Sequence, residues 1–299
     1  MKIFVTGAAG YIGGSVAEKL MASGHELTGL ARSGEQAEVL TARGITPVVG
    51  TLDDAEILAK AALDADGVVN AASADHPASV VTLVTALERS GKFLIHTTGS
   101  AIVADGADGA APNRAPLSED DYFEPLPFRR PRMDMNRYIR QAAIEKGVRA
   151  IVICPTMIYG AGRGAEPHSD QVPKLMALSK QIGAGAYFGE GLNRYSNVHI
   201  DDLVDLYLLA IEKAPGGSFF FAENGSESFK AIAALISETL GLGGATVSLP
   251  IAEVIRQYGE AGRLGVGANS LVSAINARRL GWAPKAPSLA DWIQSLKSS

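Results

Sequence analysis

The chain has 299 residues, a length that suggests one large domain or two closely joined ones and that buries enough surface to fold without disulfides or metal. Its composition, 47% hydrophobic and 20% charged, excludes a disordered, collagenous or coiled-coil protein. The 27 Lys+Arg against 32 Asp+Glu give a formal charge of −5, and no basic tract is long enough to neutralise several phosphates, so no nucleic acid partner is expected. The single cysteine, Cys154, has no internal partner for a disulfide and fits a reducing compartment. Residues Met1 to Gly10 run straight into a strand-and-turn pattern. No uncharged run reaches the roughly 18 residues of a membrane span. We expect a soluble, cytoplasmic protein with no membrane partner.

In chain order, short β-rich apolar runs alternate with helical stretches over residues 1–155. That alternation is how a parallel sheet covered by helices on both faces reads. Strands are predicted at Lys2–Thr6, Glu26–Ala31, Ile45–Val49, Gly67–Asn70, Phe93–Thr97 and Arg149–Ile153. Between the first two, Ile12, Val16 and Leu20 recur at a spacing that predicts an amphipathic helix with one buried stripe. Further helices fit Asp53–Leu63, Val80–Ser90 and Pro131–Lys146. Six strands joined by right-handed crossovers make an α/β fold with a doubly wound sheet.

After Pro155 the pattern loses its regularity. Gly160–Asp170, with four glycines or prolines, reads as a loop. Asp201–Lys213 is a helix with Asp201 and Asp202 at its start and an apolar face of Leu203, Leu206, Tyr207, Ala210 and Ile211. Residues near 217–222, with the run Phe219–Ala222, are expected to return to the sheet as a seventh strand. We therefore divide the chain into a dinucleotide-binding domain, 1–160, and a smaller substrate-side domain, 161–299.

The strongest local signal is Thr6-Gly7-Ala8-Ala9-Gly10-Tyr11-Ile12-Gly13, which ends the first strand and opens a helix. Glycines permit a sharp turn and close approach of a pyrophosphate, while the helix N-terminus offers free N–H donors. This TGxxGxxG segment resembles the extended and atypical short-chain dehydrogenase/reductases, the NAD-dependent epimerase/dehydratase-like proteins. Asn70-Ala71-Ala72-Ser73, Thr97-Thr98-Gly99-Ser100, Cys154-Pro155-Thr156-Met157-Ile158-Tyr159-Gly160 and Val198-His199-Ile200-Asp201-Asp202 resemble, in order, that family's fourth-strand end, its Ser/Thr site, its RPxxVYG segment and its VHVDD segment. The resemblance covers nearly the whole chain and implies a Rossmann domain with a small C-terminal substrate domain. It also implies cofactor contacts from Gly7, Ala9, Gly10, Tyr11, Ile12, Gly13, Ala71, Ala72, Ser73, Pro155 and Thr156.

An NAD enzyme places a carboxylate about 20 residues past the glycines to bond the ribose 2′-OH. Here the second strand ends in Leu30-Ala31-Arg32-Ser33. A carboxylate would repel a 2′-phosphate, whereas Arg32 can pair with one and Ser33 can donate another bond. NADP(H) is the expected cofactor, with NAD(H) as the alternative; Arg32 as a solvated surface arginine stays open. After the third strand, Thr51 stands where relatives often carry an adenine-contacting Asp, followed by Leu52.

Family members that reduce carbonyls usually carry YxxxK, in which the lysine's charge lowers the tyrosine's pKa and the phenol exchanges a proton with the substrate oxygen. None of the eight tyrosines has a lysine four positions later. Counting back from Gly147-Val148-Arg149 puts Phe128 and Arg132 at those places. Phe128 has no proton to give, and Arg132 is a poor proton source near neutrality. Arg129, Arg130 and Arg132 read equally as a solvated face balancing Glu119, Asp120, Asp121 and Glu124. Thr98, then Ser100, is the candidate that polarises the substrate oxygen, and Tyr122 is the first candidate replacement acid, with Tyr159 and His168 behind it.

Other residues read more simply as structural. His199, Asp201 and Asp202 cap and brace a helix rather than bind metal, and no metal site is expected. Cys154 reads as a small buried hydrophobe, Trp282 as core, and Arg194 equally as an anion contact or an exposed structural arginine. We expect an NADP(H)-dependent oxidoreductase of a small carbonyl or alcohol. The alternatives are a non-catalytic NADP(H)-binding sensor or scaffold and a nucleotide-sugar epimerase or dehydratase. By resemblance, a homodimer would pair the helices near Val80–Ser90 and Pro131–Lys146.

Overall fold

The computed structural model describes residues 1–298. The first half alternates β1 (Lys2–Thr6), α1 (Tyr11–Ala22), β2 (Glu26–Ala31), α2 (Gly34–Ala42), β3 (Thr46–Val49), α3 (Ala55–Asp64), β4 (Gly67–Asn70), α4 (Pro77–Ala86) and β5 (Phe93–Thr97). A long connection carrying β6 (Leu117–Ser118) leads to α5 (Arg130–Glu145) and β7 (Arg149–Pro155). There follow β8 (Met157–Tyr159), α6 (Gln171–Ile182), β9 (Gly185–Phe188), β10 (Arg194–His199), α7 (Ile200–Lys213), β11 (Phe219–Ala222) and β12 (Ser226–Ser228). The chain ends with α8 (Phe229–Thr239), β13 (Thr246–Leu249), α9 (Ile251–Val266), β14 (Val272–Ser273), α10 (Ile275–Leu280) and α11 (Leu289–Ser295).

Seven strands form one parallel sheet in the order β11-β7-β5-β4-β1-β2-β3. Chain order reverses between β1 and β4, the crevice where such sheets bind ligands. Ile3, Phe4 and Val5 of β1 are all fully buried, as a strand covered by helices on both faces must be. β11 returns to the edge of β7, pairing Phe219 with Val152 and Phe221 with Cys154, so the expected seventh strand is present.

Boundaries moved where caps outweigh hydrophobic period. α4 starts at Pro77, with the His76 ring accepting from Ser79 N–H, and ends at Ala86, earlier than Val80–Ser90. α7 is capped by His199, whose Nδ1 accepts from the Asp201 amide; Asp202 turns inward and accepts from the amides of Lys285 and Ala286. Trp282 is core and donates to the Asp202 carbonyl at 2.7 Å.

A second hydrophobic cluster, including Tyr159, Phe188, Tyr195, Phe229, Ile232 and Ile236, lies beyond the sheet's carboxyl edge. It is framed by the sheets β12-β10-β8 and β13-β9 and by α6, α8, α9 and α11. α9 is broken at Gly259, whose φ of 64° with ψ of −162° is a backbone conformation that suits glycine. Among the described residues no helix is long and apolar enough to cross a membrane, and no group of His, Cys, Asp and Glu could hold a metal ion.

Candidate functional site

The turn after β1 is built as tightly as glycine allows. Gly7 has φ 74°, and a Cβ there would lie 2.9 Å from the Ala71 backbone; one on Gly13 would lie 2.3 Å from the Gly7 carbonyl oxygen. The Gly10 amide closes the turn on Gly7 O at 2.9 Å. α1 then begins with no side-chain cap and no acidic residue in its first turn. Its leading amides and positive dipole end therefore face outward with no carboxylate competing for them, which fits a pyrophosphate.

A cleft of about 650 Å³ runs along this turn. Of the residues read from the sequence as cofactor contacts, Gly7, Gly10, Tyr11, Ile12, Gly13, Arg32, Leu52, Ala71, Ala72, Ser73 and Thr156 line it. Four do not, and each has another partner. Ala9 is buried, its carbonyl accepting from the Glu166 amide. Ser33 caps α2 by accepting from the Gln36 amide at 3.2 Å. Thr51 donates to Asp54 at 2.8 Å, and Pro155 pairs with Ala222 at the end of β7. Leu30, Gln36, Ile158, Ser169, Asp170 and Gln171 complete the wall without having been read as cofactor contacts, and His168, a candidate replacement acid, lines it too. At the nucleoside end, Gln36 Oε1 accepts from the Arg32 amide at 2.8 Å, and among the described residues the Arg32 guanidinium has no ion-pair partner.

The loop 160–170 forms the far wall and is pinned onto α1. Tyr11 donates its hydroxyl to Gly160 O at 2.9 Å, and the Arg163 amide donates to Ser15 Oγ at 2.9 Å. A Cβ on Gly164 would sit 2.3 Å from Gly10 O, so loop and helix touch backbone to backbone. Burial, then the nearby Asp201, pushes the Tyr11 phenol pKa up, which keeps it a neutral donor.

Neither Thr98 nor Ser100 is among the residues that line the cleft; Thr98 is buried, its hydroxyl without a hydrogen-bond partner among the described residues, and its amide donates to Ile153 O at 2.9 Å. Ser100 Oγ is engaged by Ser270 Oγ at 3.0 Å. Tyr122 does not join them: it is 80% exposed and bonded to Glu124. Phe128 is 51% exposed, with the Arg129 guanidinium over its ring.

The arginines are not a solvated face balancing the neighbouring acids. Arg129 is buried, Arg132 donates through Nε to Asp75 at 2.7 Å, and Arg129 Nη1 lies 3.9 Å from the same carboxylate. Two guanidiniums thus share one carboxylate, whose pKa the Arg132 hydrogen bond holds low. Of the acids, Glu119 accepts instead from the amides of Phe221, Ile275 and Asn276. Arg130 alone of the three arginines is exposed.

A polar relay inside the sheet was not anticipated. Thr6 donates to Asn70 Oδ1 at 2.6 Å, and Asn70 Nδ2 meets His96 Nδ1 at 3.1 Å. Because Nδ1 accepts, Nε2 carries the proton, and it is buried without a partner among the described residues. Burial lowers the His96 pKa to about 4, assisted by Arg132, so the ring is neutral. Tyr195 is also buried, with its phenol toward Ser270 and Ser100. Tyr159 donates to Pro287 O at 2.8 Å, Arg194 to Ser226 O at 2.6 Å, and burial pushes the Cys154 thiol pKa up; all three read as structural.

A doubly wound parallel sheet with an uncapped glycine turn at its switch point defines a Rossmann-type protein built for a nicotinamide dinucleotide. The chain belongs to the NAD dependent epimerase/dehydratase family of the extended short-chain dehydrogenase/reductase group; the family's model matches residues 3–220. It is 32% identical to "Uncharacterized protein C2A9.02" of Schizosaccharomyces pombe, over 95% of each chain. It is likewise 32% identical to "Oxidase ucsJ" of Acremonium sp., over 98% of this chain and 95% of the relative. A 4-hydroxy-2-methyl-3-oxo-4-farnesyl-3,4-dihydroquinoline-1-oxide ketoreductase of Stigmatella aurantiaca is 28% identical over 84% of this chain and 76% of the relative. Among solved structures, the Thermotoga maritima UDP-glucose 4-epimerase with UDP-glucose superposes with TM-score 0.78 at 21% identity, covering 100% of this chain and 98% of that one.

Proposed function

We propose that the protein is an NADP(H)-dependent reductase of a small carbonyl compound, with residues 1–160 supplying most of the dinucleotide cleft and residues 161–299 the substrate side beyond it. The observation that carries the cofactor choice is Arg32, which lines the cleft with no ion-pair partner among the described residues, where an NAD enzyme would present a carboxylate. A planar guanidinium there suits a 2′-phosphate. The dinucleotide, when bound, supplies hydride to the carbonyl carbon.

The chain's own residues do the rest. The Thr98 hydroxyl, without a partner among the described residues, is the donor that orients the carbonyl oxygen, and Ser270 holds Ser100. Arg129 and Arg132, with one carboxylate between them, leave a positive field that favours negative charge developing on that oxygen. Arginine keeps its proton near neutrality, so water entering the cleft returns the proton. The missing Tyr/Lys pair also favours a second reading, a dinucleotide-binding sensor without chemistry.

The test is calorimetric titration with NADPH and with NADH, followed by NADPH oxidation across a panel of aldehydes and ketones. Tighter binding of NADPH and turnover of at least one carbonyl are expected. Binding with no turnover leaves the sensor, tighter binding of NADH overturns the cofactor assignment, and no binding of either overturns both readings.

A further inference from the structure

A second cavity, of about 300 Å³, opens between α6 and α9. Asp170 and Gln171 line both this cavity and the dinucleotide cleft, so the two spaces adjoin at the start of α6. Leu175, Leu178, Phe188 and Val254 supply its walls, and Tyr258 stands at its rim, 50% exposed. The break at Gly259 lies beside this rim and bends α9 there.

The cations around this space are each held by a carboxylate. Lys174, its only lining cation, is paired with Asp170 and lies 5.7 Å from the Tyr258 ring. On α9, Arg263 is held by Asp108 at 2.6 Å and by Glu260 at 2.6 Å. A nucleoside diphosphate would meet Asp170 here and no unpaired cation, while an apolar chain would remove apolar wall from water.

We infer that this cavity is the substrate subsite and that it takes the alkyl or aryl tail of an uncharged carbonyl compound. This rests on the reductase reading above and adds the substrate class. Its volume lies at the lower end of small-molecule pockets, which suits one short tail. The tail enters from the dinucleotide cleft past Gln171, where the two spaces adjoin, and runs between the two helices.

The experiment titrates a series of 2-alkanones, from 2-butanone to 2-decanone, against the protein with and without NADP⁺, by calorimetry. Affinity is expected to rise up to about fourfold per added methylene and to level off once the cavity is filled. Ala261→Trp, at an exposed position on the cavity rim, is expected to flatten that rise and leave the NADP⁺ affinity unchanged. Leu178→Gln is the second variant, expected to lower the affinity for 2-decanone about tenfold. Chain-length independence in the unaltered protein, or tighter binding of UDP-glucose than of 2-decanone, overturns the subsite. Absence of NADP⁺ binding strikes the cofactor reading alone, because the alkanone series is also measured without it.

Discussion

His96 ties the fold to pH in a way that can be worked through. Its ring is buried in β5, fixed as the Nε2–H tautomer by the Thr6–Asn70 relay, and its pKa falls from 6.5 to about 4 chiefly through desolvation. The unfolded chain takes up a proton below about 6.5, and the folded chain resists it until about pH 4. The contribution is therefore fully present above the unfolded value and is lost as pH falls through this window. At about 1.4 kcal/mol per pH unit the loss reaches about 3 kcal/mol, an order-of-magnitude figure. Urea denaturation at pH 8, 6, 5 and 4, for the protein and for His96→Asn, isolates it from the carboxylates that titrate nearby. The substituted carboxamide keeps an oxygen for Asn70 Nδ2 and removes the titration, so the variant is less stable at pH 8 but loses less stability on acidification. Parallel stability–pH curves for the two proteins would refute the reasoning.

The other predictions concern the cleft. Arg32→Ala weakens NADPH binding about 10- to 150-fold, the worth of a hydrogen bond to a charged group, and leaves NADH within twofold; equal losses in calorimetry would count against a 2′-phosphate contact. Gly164→Ala puts a Cβ 2.3 Å from Gly10 O, lowers stability by about 1–3 kcal/mol and weakens both dinucleotides together, read by thermal melting and titration. Tyr122→Phe, on an exposed ring, changes stability by less than about 0.5 kcal/mol and leaves NADPH oxidation unaltered; a lost rate would return Tyr122 to the reacting centre.

The parallel sheet was legible because Ile3–Val5, Val68–Val69 and Ile151–Ile153 are continuous apolar runs buried on both faces, and the glycine turn because its spacing has one steric meaning. α2 was not legible: of its residues only Leu40 is buried, so no apolar stripe marks it. The hold of loop 160–170 on α1 depends on two glycine backbones meeting across about 150 positions, which no local pattern encodes. Likewise, Arg132 meets Asp75 across 57 positions, so its charge read as surface. The His96 relay joins the ends of β1, β4 and β5, and its signal was a lone polar residue, His96, inside the apolar run Phe93–Ile95 before Thr97. Tyr122 was placed by proximity along the chain, and the connection carries its ring outward to solvent.

β11 joins the sheet late. The strand that shields the outer edge of β7 arrives about 60 residues after β7 itself, behind α6, β10 and α7. On a ribosome adding about 5–20 residues per second, that edge waits roughly 3–12 s for its neighbour. Ala150–Cys154 has no exposed residue in the finished protein, so in the nascent chain it is an open, sticky border of the kind chaperones shield.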